Sequence, residues 1–166
     1  MDKKIKEQLF NTPLEIGLRL LFILKNTSKN NLNLQRLIYY NYLIVHTSDI
    51  SSEQESLHPD LPNRSCEILI GIKIIKQGLY LIISKGLIDV KYTKTGIKYL
   101  KNKFTINFLS NLTTDYAKHL DKQSDWVCKT FEAMNDKTLN TFIQSNLGKW
   151  GGEFSREFHL VGEKNA

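Results

Sequence analysis

The feature of this sequence that most constrains its fold is a long apolar stretch over residues 64–85, RSCEILIGIKIIKQGLYLIISK. Its polar residues recur at steps of three, four and seven, which places them on one narrow face of a helix: Lys73, Lys76, Gln77, Tyr80 and Ser84. A helix that is apolar over most of its circumference has to be covered on two sides. Gly71 and Gly78 lower the helix propensity, so we expect them where another backbone comes close. The spacing therefore predicts a central helix.

Length and composition predict a chain that folds as one compact unit. The 166 residues suffice for one domain with its own core, or for a small domain with a helical extension. A hydrophobic content of 41% with 24% charged residues is typical of globular proteins and argues against disorder. No apolar run reaches the roughly 18 residues that span a bilayer, and no signal-type cleavage site follows the first residues. We expect a soluble, cytoplasmic protein without a membrane partner.

Two further helices are predicted before the central one. Thr12 precedes Pro13, and Glu15 follows at the third position, a pattern typical of a capped helix start. After a short strand or N-cap at residues 32–34, a second helix is predicted through about Val45. It carries three clustered tyrosines, of which we expect at least one to present its hydroxyl to solvent or a partner: Tyr39, Tyr40 and Tyr42.

The segment after the central helix indicates the fold class. Gly86 is placed to end that helix, LIDVKY alternates as one strand, and Thr93 can cap a helix over TGIKYLKNKF. This order resembles a winged helix-turn-helix whose wing is reduced. Residues 105–166 read as further helices, with a break near Asn111 and an end at Gly148. We predict a mainly α fold: a winged-helix-like helical domain with a reduced wing at residues 1–104, and a C-terminal helical extension packed on it at residues 105–166.

One polar loop gathers the side chains that catalysis could use. They are His46, Ser48, Asp49, His58, Asp60 and Cys66. No HExxH, GxSxG or Gly-rich phosphate loop accompanies them, so we predict no enzyme and no cofactor. In the alternative interpretation, His46 and Asp49 cap the second helix and pin the loop. Cys66 and Cys128 lack CxxC spacing and lie in apolar helical patterns, so we expect buried free thiols and no metal.

A second candidate site is a basic face. The net charge of +6 and the pI near 9.2 permit contact with nucleic acid. Lysine supplies salt-dependent affinity for phosphate, and glutamine can read adenine. The candidates for DNA contact are Lys73, Lys76, Gln77, Lys91 and Lys94. The same stripe is equally well explained as a solvated or partner-facing surface.

Five stretches together resemble a known protein family: NTPLEIGLRLLFIL, RLIYYNYLIVHTSDI, ESLHPDLPNRSCEILI, KGLIDVKYTKTGIKYL and NLGKWGGEF. They look like the middle component of the bacterial ABC-three-component systems, which include or are closely related to the Lamassu group of antiphage and antiplasmid defences. The resemblance covers most of residues 11–154, and SLHPDLPNRS and LGKWGGEF are its specific parts. The family tends to carry glycine where this chain has Cys66, a difference that touches helix packing.

The resemblance implies a non-enzymatic adaptor subunit. Such a subunit acts between an SMC-like or Rad50-like ABC ATPase, which senses DNA, and an effector that is often a nuclease. The matching motifs would then be structural or partner-interface residues: Leu57, His58, Asp60, Asn63, Arg64, Trp150 and Phe154. Trp150 is explained as well by an intramolecular anchor for the last helix. A free-standing winged-helix transcription regulator that uses the basic face is the alternative function, and an enzyme that uses His46, Asp49 and His58 is the third.

Overall fold

The structure, a computed structural model, describes residues 11–151. This part of the chain is mainly helical, as predicted. It contains seven α-helices: α1 Pro13–Asn26, α2 Leu34–Leu43, α3 Cys66–Ile70, α4 Ile72–Ser84, α5 Lys103–Leu109, α6 Asp115–Thr130 and α7 Asp136–Asn146. Three strands form a small antiparallel sheet in the order β1-β3-β2: β1 Leu32–Asn33, β2 Ile88–Thr93 and β3 Gly96–Lys101. None of the helices in residues 11–151 is both long enough and apolar enough to cross a bilayer.

Helix α1 occupies the centre of the fold. It begins as predicted, because the Thr12 hydroxyl accepts a hydrogen bond from the backbone N–H of Glu15 at 3.2 Å. It packs against both α4 and α6, and its residues from Ile16 to Leu24 are buried except for the partly exposed Leu18. The prediction that residues 64–85 form the central helix is therefore wrong: α4 packs on α1 and is the more exposed of the two.

The apolar stretch at residues 64–85 is also not one helix. It divides into α3 and α4 at Gly71, where a Cβ would collide with the carbonyl oxygen of Glu67 in the preceding turn. The backbone that comes close to Gly71 is therefore that of the preceding turn and not that of another helix or strand. At Gly78 the prediction is confirmed, because an added Cβ would lie 3.0 Å from the backbone nitrogen of Gly17. Helix α4 is buried on the face that carries Gly78, while Ile72 on another face is exposed, so one side stays uncovered.

The segment that follows α4 is a hairpin, and the prediction of one strand and a helix is wrong. Strands β2 and β3 pair from Ile88–Lys101 to Thr93–Gly96, which leaves a two-residue turn. The Thr93 hydroxyl accepts from the backbone N–H of Thr95 at 3.3 Å and donates to the carbonyl of Gly96 at 2.7 Å. A threonine hydroxyl can bond to nearby backbone in a turn as well as at a helix start, so the residue type did not distinguish the two.

The tyrosines of α2 are all buried, against the prediction that one hydroxyl meets solvent or a partner. Tyr39 donates to Asn140, Tyr40 accepts from Arg36 at 2.9 Å and Tyr42 donates to Asp49. Each tyrosine hydroxyl has a hydrogen-bond partner within the chain.

The two thiols differ, because Cys128 is buried as predicted whereas Cys66 is exposed.

The last three helices show the predicted break near Asn111, and the last of them ends at Asn146, two residues before the predicted Gly148. Helix α5 ends at Leu109 and α6 starts at Asp115, which confirms a break near Asn111. Asn135 caps α7, because its side chain accepts from the backbone N–H of Thr138 at 2.8 Å. Helices α1, α2 and α6 share the buried core, which is one continuous cluster in the described residues.

Candidate interaction surfaces

Trp150 joins the C-terminal motif to the polar loop. Its side chain is 4% exposed and its indole Nε1 donates to the backbone carbonyl of Asp49 at 3.2 Å. The ring stacks on Tyr42, with ring centroids 5.4 Å apart and an interplanar angle of 26°. The intramolecular anchor, one of the two interpretations of this residue, is present in the structure.

Gly151 brings the two most specific motifs into backbone contact. It has a φ of +73°, and an added Cβ would lie 2.7 Å from the backbone nitrogen of Asn63 and 2.8 Å from that of Arg64. The carbonyl of Gly151 accepts from the backbone N–H of Asn63 at 3.0 Å. Asn63 itself has a φ of +57°, which asparagine tolerates better than most residues. The local backbone therefore favours glycine at 151 and asparagine at 63.

A buried ion pair holds the same end of the loop. The Arg64 guanidinium donates to the Asp49 carboxylate through Nη2 at 2.5 Å and through Nε at 3.1 Å. The Tyr42 hydroxyl also donates to Asp49. Burial, followed by the hydrogen bond to Asp49, raises the pKa of Tyr42. The hydrogen bond to Asp49 raises the pKa of Arg64. Both side chains of the pair are less than a tenth exposed.

His58 connects the loop to the end of α2 and to α1. Its backbone N–H donates to the carbonyl of Val45 at 3.0 Å, and its Nε2 lies 3.3 Å from Nη2 of Arg19. Burial, with the nearby Arg19 and His46, lowers the pKa of His58 to about 4. His58 is therefore neutral near pH 7 and accepts from Arg19 at Nε2, which assigns the ring proton to Nδ1. Arg19 also donates to Glu15 at 2.6 Å.

The candidate side chains for catalysis, His46, Asp49 and His58, make the structural contacts that hold the loop in place. The rings of His46 and His58 lie 6.1 Å apart and both are buried, while Asp49 is occupied by Arg64. His46 lies 3.3 Å from the Glu67 carboxylate. In residues 11–151, no three His, Cys, Asp or Glu side chains are grouped so as to hold a metal ion.

The predicted partner-interface residues separate into buried and exposed positions. His58 and Trp150 are buried, and Leu57 packs against the core. Asp60 and Asn63 are exposed, within a run of five exposed residues at 59–63. The side chain of Arg64 is buried in its pair with Asp49, and Phe154 lies outside the described residues. Whether these residues meet a partner stays a prediction.

The predicted DNA-contact residues all lie on the surface of α4 and the hairpin. The exposed members are Lys73, Lys76, Gln77, Lys91 and Lys94. Tyr80 on α4 and Tyr92 on β2 are exposed beside them. Their contact with DNA stays a prediction.

An apolar face on α1 and α5 was missed by the sequence reasoning. Leu14 is 61% exposed, and Phe104 and Phe108 are exposed one turn apart on α5. Leu14 and Phe108 border a groove of about 370 Å³ that Leu18 and Leu81 also line. The spacing of Phe104 and Phe108 was the available signal, because residues four apart share a helix face. We call Leu14, Phe104, Phe108 and the groove the apolar face.

The comparisons with known proteins agree with the resemblance seen in the motifs. No curated protein and no solved structure is significantly similar to the chain. Residues 9–153 match the family described as ABC-three component (ABC-3C) system Middle Component 2, and the match includes the loop, the basic hairpin and Trp150. This family description indicates no catalytic activity. The chain belongs to the ABC-three component system Middle Component 2 family.

Proposed function

We propose that this chain is a non-enzymatic adaptor subunit of a bacterial defence complex of the cytoplasm. A middle component implies the other components of an ABC-3C system, including an ABC ATPase. In this proposal the ATPase is SMC-like or Rad50-like and senses DNA, and the adaptor links it to a nuclease or other effector. The adaptor controls activation of that effector against phage or plasmid DNA, as in the Lamassu group.

The observation that carries the proposal is the apolar face. Leu14, Phe104 and Phe108 are large apolar side chains exposed on neighbouring helices, and Leu14 and Phe108 border a groove of about 370 Å³. Contiguous exposed apolar surface of this kind marks protein–protein contact sites. A subunit that works by holding other proteins needs such a surface, and an active site is not required for that role.

The exposed loop at residues 59–63 is a second surface for this role. It includes Leu61, which is 54% exposed, beside Asp60. The contacts of His58 with Val45 and of Arg64 with Asp49 fix both ends of the loop. A loop held at both ends loses little conformational freedom when it binds, which favours affinity.

The same proposal includes a winged-helix identity for the first part of the chain. What supports it is the order α1, β1, α2, the short α3, α4 and then a hairpin, with a sheet ordered β1-β3-β2. In such a fold α4 and the hairpin, as the wing, would form the nucleic-acid-binding surface, and Lys73, Lys76, Gln77, Lys91 and Lys94 would face DNA. The division into a domain at residues 1–104 and an extension at residues 105–166 belongs to this proposal.

The test is copurification of surface variants with the other components of the system. We expect the wild-type chain to recover the ATPase and the effector. The double variant Leu14→Asp, Phe108→Asp should lose one of them, while Gln144→Asp, at an exposed position of α7, should lose neither. Leu61→Asp tests the loop in the same way. If every variant recovers both the ATPase and the effector, the role of these surfaces is contradicted. If the wild-type chain is recovered without any other component, the adaptor function is contradicted.

A further inference from the structure

The positive charge of this protein is concentrated in α4 and the hairpin. Residues 71–101 contain seven lysines and one acidic residue, Asp89, a formal charge of +6 that equals the charge of the whole chain. Asp89 accepts a hydrogen bond from Asn102 at 2.9 Å, at the end of the hairpin remote from its turn. The rest of the chain is therefore neutral overall, and this surface is the part that attracts a polyanion.

Two exposed tyrosines lie within the same surface. Tyr80 on α4 is 69% exposed and Tyr92 on β2 is 80% exposed. Tyr92 pairs with Ile97, and the next pair with the same orientation is Val90 with Tyr99. Side chains of alternate pairs share one face of a sheet, so Tyr92 and Tyr99 are diagonal neighbours.

The three rings of Tyr80, Tyr92 and Tyr99 are gathered at one place. Helix α4, which carries Tyr80, packs on β2. Burial raises the pKa of the Tyr99 hydroxyl, and the nearby hydroxyls of Tyr80 and Tyr92 raise it further. Tyr99 is buried and continuous with the core, whereas the other two rings project beyond it. Two large aromatic rings thus project into solvent beside the buried Tyr99, and Lys73 and Lys76 lie on the same helix face as Tyr80.

We propose that this surface binds single-stranded nucleic acid, with unpaired bases stacked on Tyr80 and Tyr92 and with the lysines on the backbone phosphates. Stacking on aromatic side chains within a basic groove is how proteins bind single strands without sequence preference. The inference rests on the nucleic-acid contact included in the proposed function, and it specifies which form of nucleic acid is bound.

The residue types favour a single strand over a duplex. A duplex hides the faces of its bases, so exposed tyrosine rings gain no stacking from it, whereas an unpaired base offers its face. Residues 71–101 contain no arginine, the side chain most used to read guanine in the major groove, and Gln77 is their only amide side chain. The surface thus combines phosphate affinity and stacking with little means of reading a duplex.

The test measures binding of the full chain to fluorescent oligonucleotides of about 15 residues, as oligo(dT), oligo(U) and a duplex of mixed sequence. We expect at least one of the two single strands to bind more tightly than the duplex. The ratio of the affinities for oligo(dT) and oligo(U) identifies the preferred sugar. Tyr80→Ala with Tyr92→Ala should weaken this binding at least about tenfold. Tyr80→Phe with Tyr92→Phe, which keeps both rings, should retain the wild-type affinity.

A lysine pair tests the electrostatic part. Lys73→Gln with Lys76→Gln, on the same helix face as Tyr80, should reduce the slope of log Kd against log salt by about 1.4, since each phosphate contact on a single strand contributes about 0.7. The matched control is Lys122→Gln with Lys137→Gln, at exposed positions on α6 and α7, which should leave the slope unchanged.

Three results would overturn the inference. One is the absence of oligonucleotide binding by the wild-type chain, both alone and in its complex. Another is a preference for the duplex that the alanine pair does not alter. The third is loss of a protein component on copurification of the alanine pair while oligonucleotide binding is kept, which would assign the surface to a protein partner. Failure of the wild-type chain to copurify with any component would instead contradict the adaptor function and leave the oligonucleotide result unaffected.

Discussion

Replacement of Gly151 by alanine should destabilise the protein through two separable effects. The φ of +73° places an alanine in the left-handed region, which costs about 1–2 kcal/mol. The new Cβ would also lie 2.7 Å and 2.8 Å from the backbone nitrogens of Asn63 and Arg64, and backbone atoms cannot rotate away. Overpacking of this kind adds about 1–3 kcal/mol. Undocking of Trp150 sets the upper limit, because removal of a buried tryptophan costs about 3–5 kcal/mol.

Two other glycines supply the controls for this prediction. Gly86 has a φ of +66° with open space around it, so Gly86→Ala should cost only the conformational part, about 1–2 kcal/mol. Gly148 also faces open space and has no left-handed φ, so Gly148→Ala should change stability by at most about 0.5 kcal/mol. Urea unfolding followed by circular dichroism and tryptophan fluorescence would measure all three. If Gly151→Ala matched Gly86→Ala, the close approach to the loop would be refuted, and a match with Gly148→Ala would refute both effects.

Three further predictions concern the buried pairs and the α1–α4 contact. Asp49→Asn leaves the Arg64 guanidinium without its carboxylate, so the free energy of unfolding should fall by about 3 kcal/mol, and an unchanged urea midpoint would contradict the buried pair. His58 has a pKa of about 4 when folded and 6.5 when unfolded, so the unfolded chain binds the proton first. The stability it contributes is present above pH 6.5 and is lost as the pH falls towards 4, by up to about 3 kcal/mol. His58→Gln should flatten that part of the pH profile, and an equally steep profile in the variant would refute the assignment. Gly78→Ala should lower the free energy of unfolding by about 1–2 kcal/mol after the gain in helix propensity is included. The reason is that its Cβ would lie 2.8 Å from Ile16 Cγ2 and 3.0 Å from the Gly17 nitrogen. A variant that is more stable in thermal unfolding would contradict that contact.

The elements that could be predicted from the sequence are those that local residues determine. Thr12 and Pro13 start α1, Asn135 starts α7 and Gly86 ends α4, in each case because the side chain or the φ value acts on its own turn. The hairpin was missed although its residues are local. The Thr93 hydroxyl can bond to nearby backbone both in a turn and at a helix start. The local sequence pattern was therefore compatible with a hairpin as well as with a helix.

The buried polar contacts could not be predicted, because their partners are distant in the chain. Tyr39 donates to Asn140, 101 positions away, and Arg36 pairs with Asp136, 100 positions away. The distant partner of Tyr39 could not be seen from its neighbours in the sequence. The partners of Tyr40 and Tyr42, Arg36 and Asp49, lie only four and seven positions away, and the prediction that at least one hydroxyl meets solvent or a partner overlooked them. The contact between Asn63 and Gly151 has the same character: both motifs were recognisable, but their meeting depends on how α1 and α2 place the loop.

The central claim is that this chain functions as a middle component that joins other proteins. Its most direct test is the mass of the complex that forms when the tagged chain is expressed with the other components of its system, measured by light scattering with and without DNA. We expect one assembly that contains the chain, the ABC ATPase and the effector in fixed proportions, and a change of composition or effector activity when DNA is added. A chain that is recovered alone or only as a homodimer, under both conditions, would contradict it.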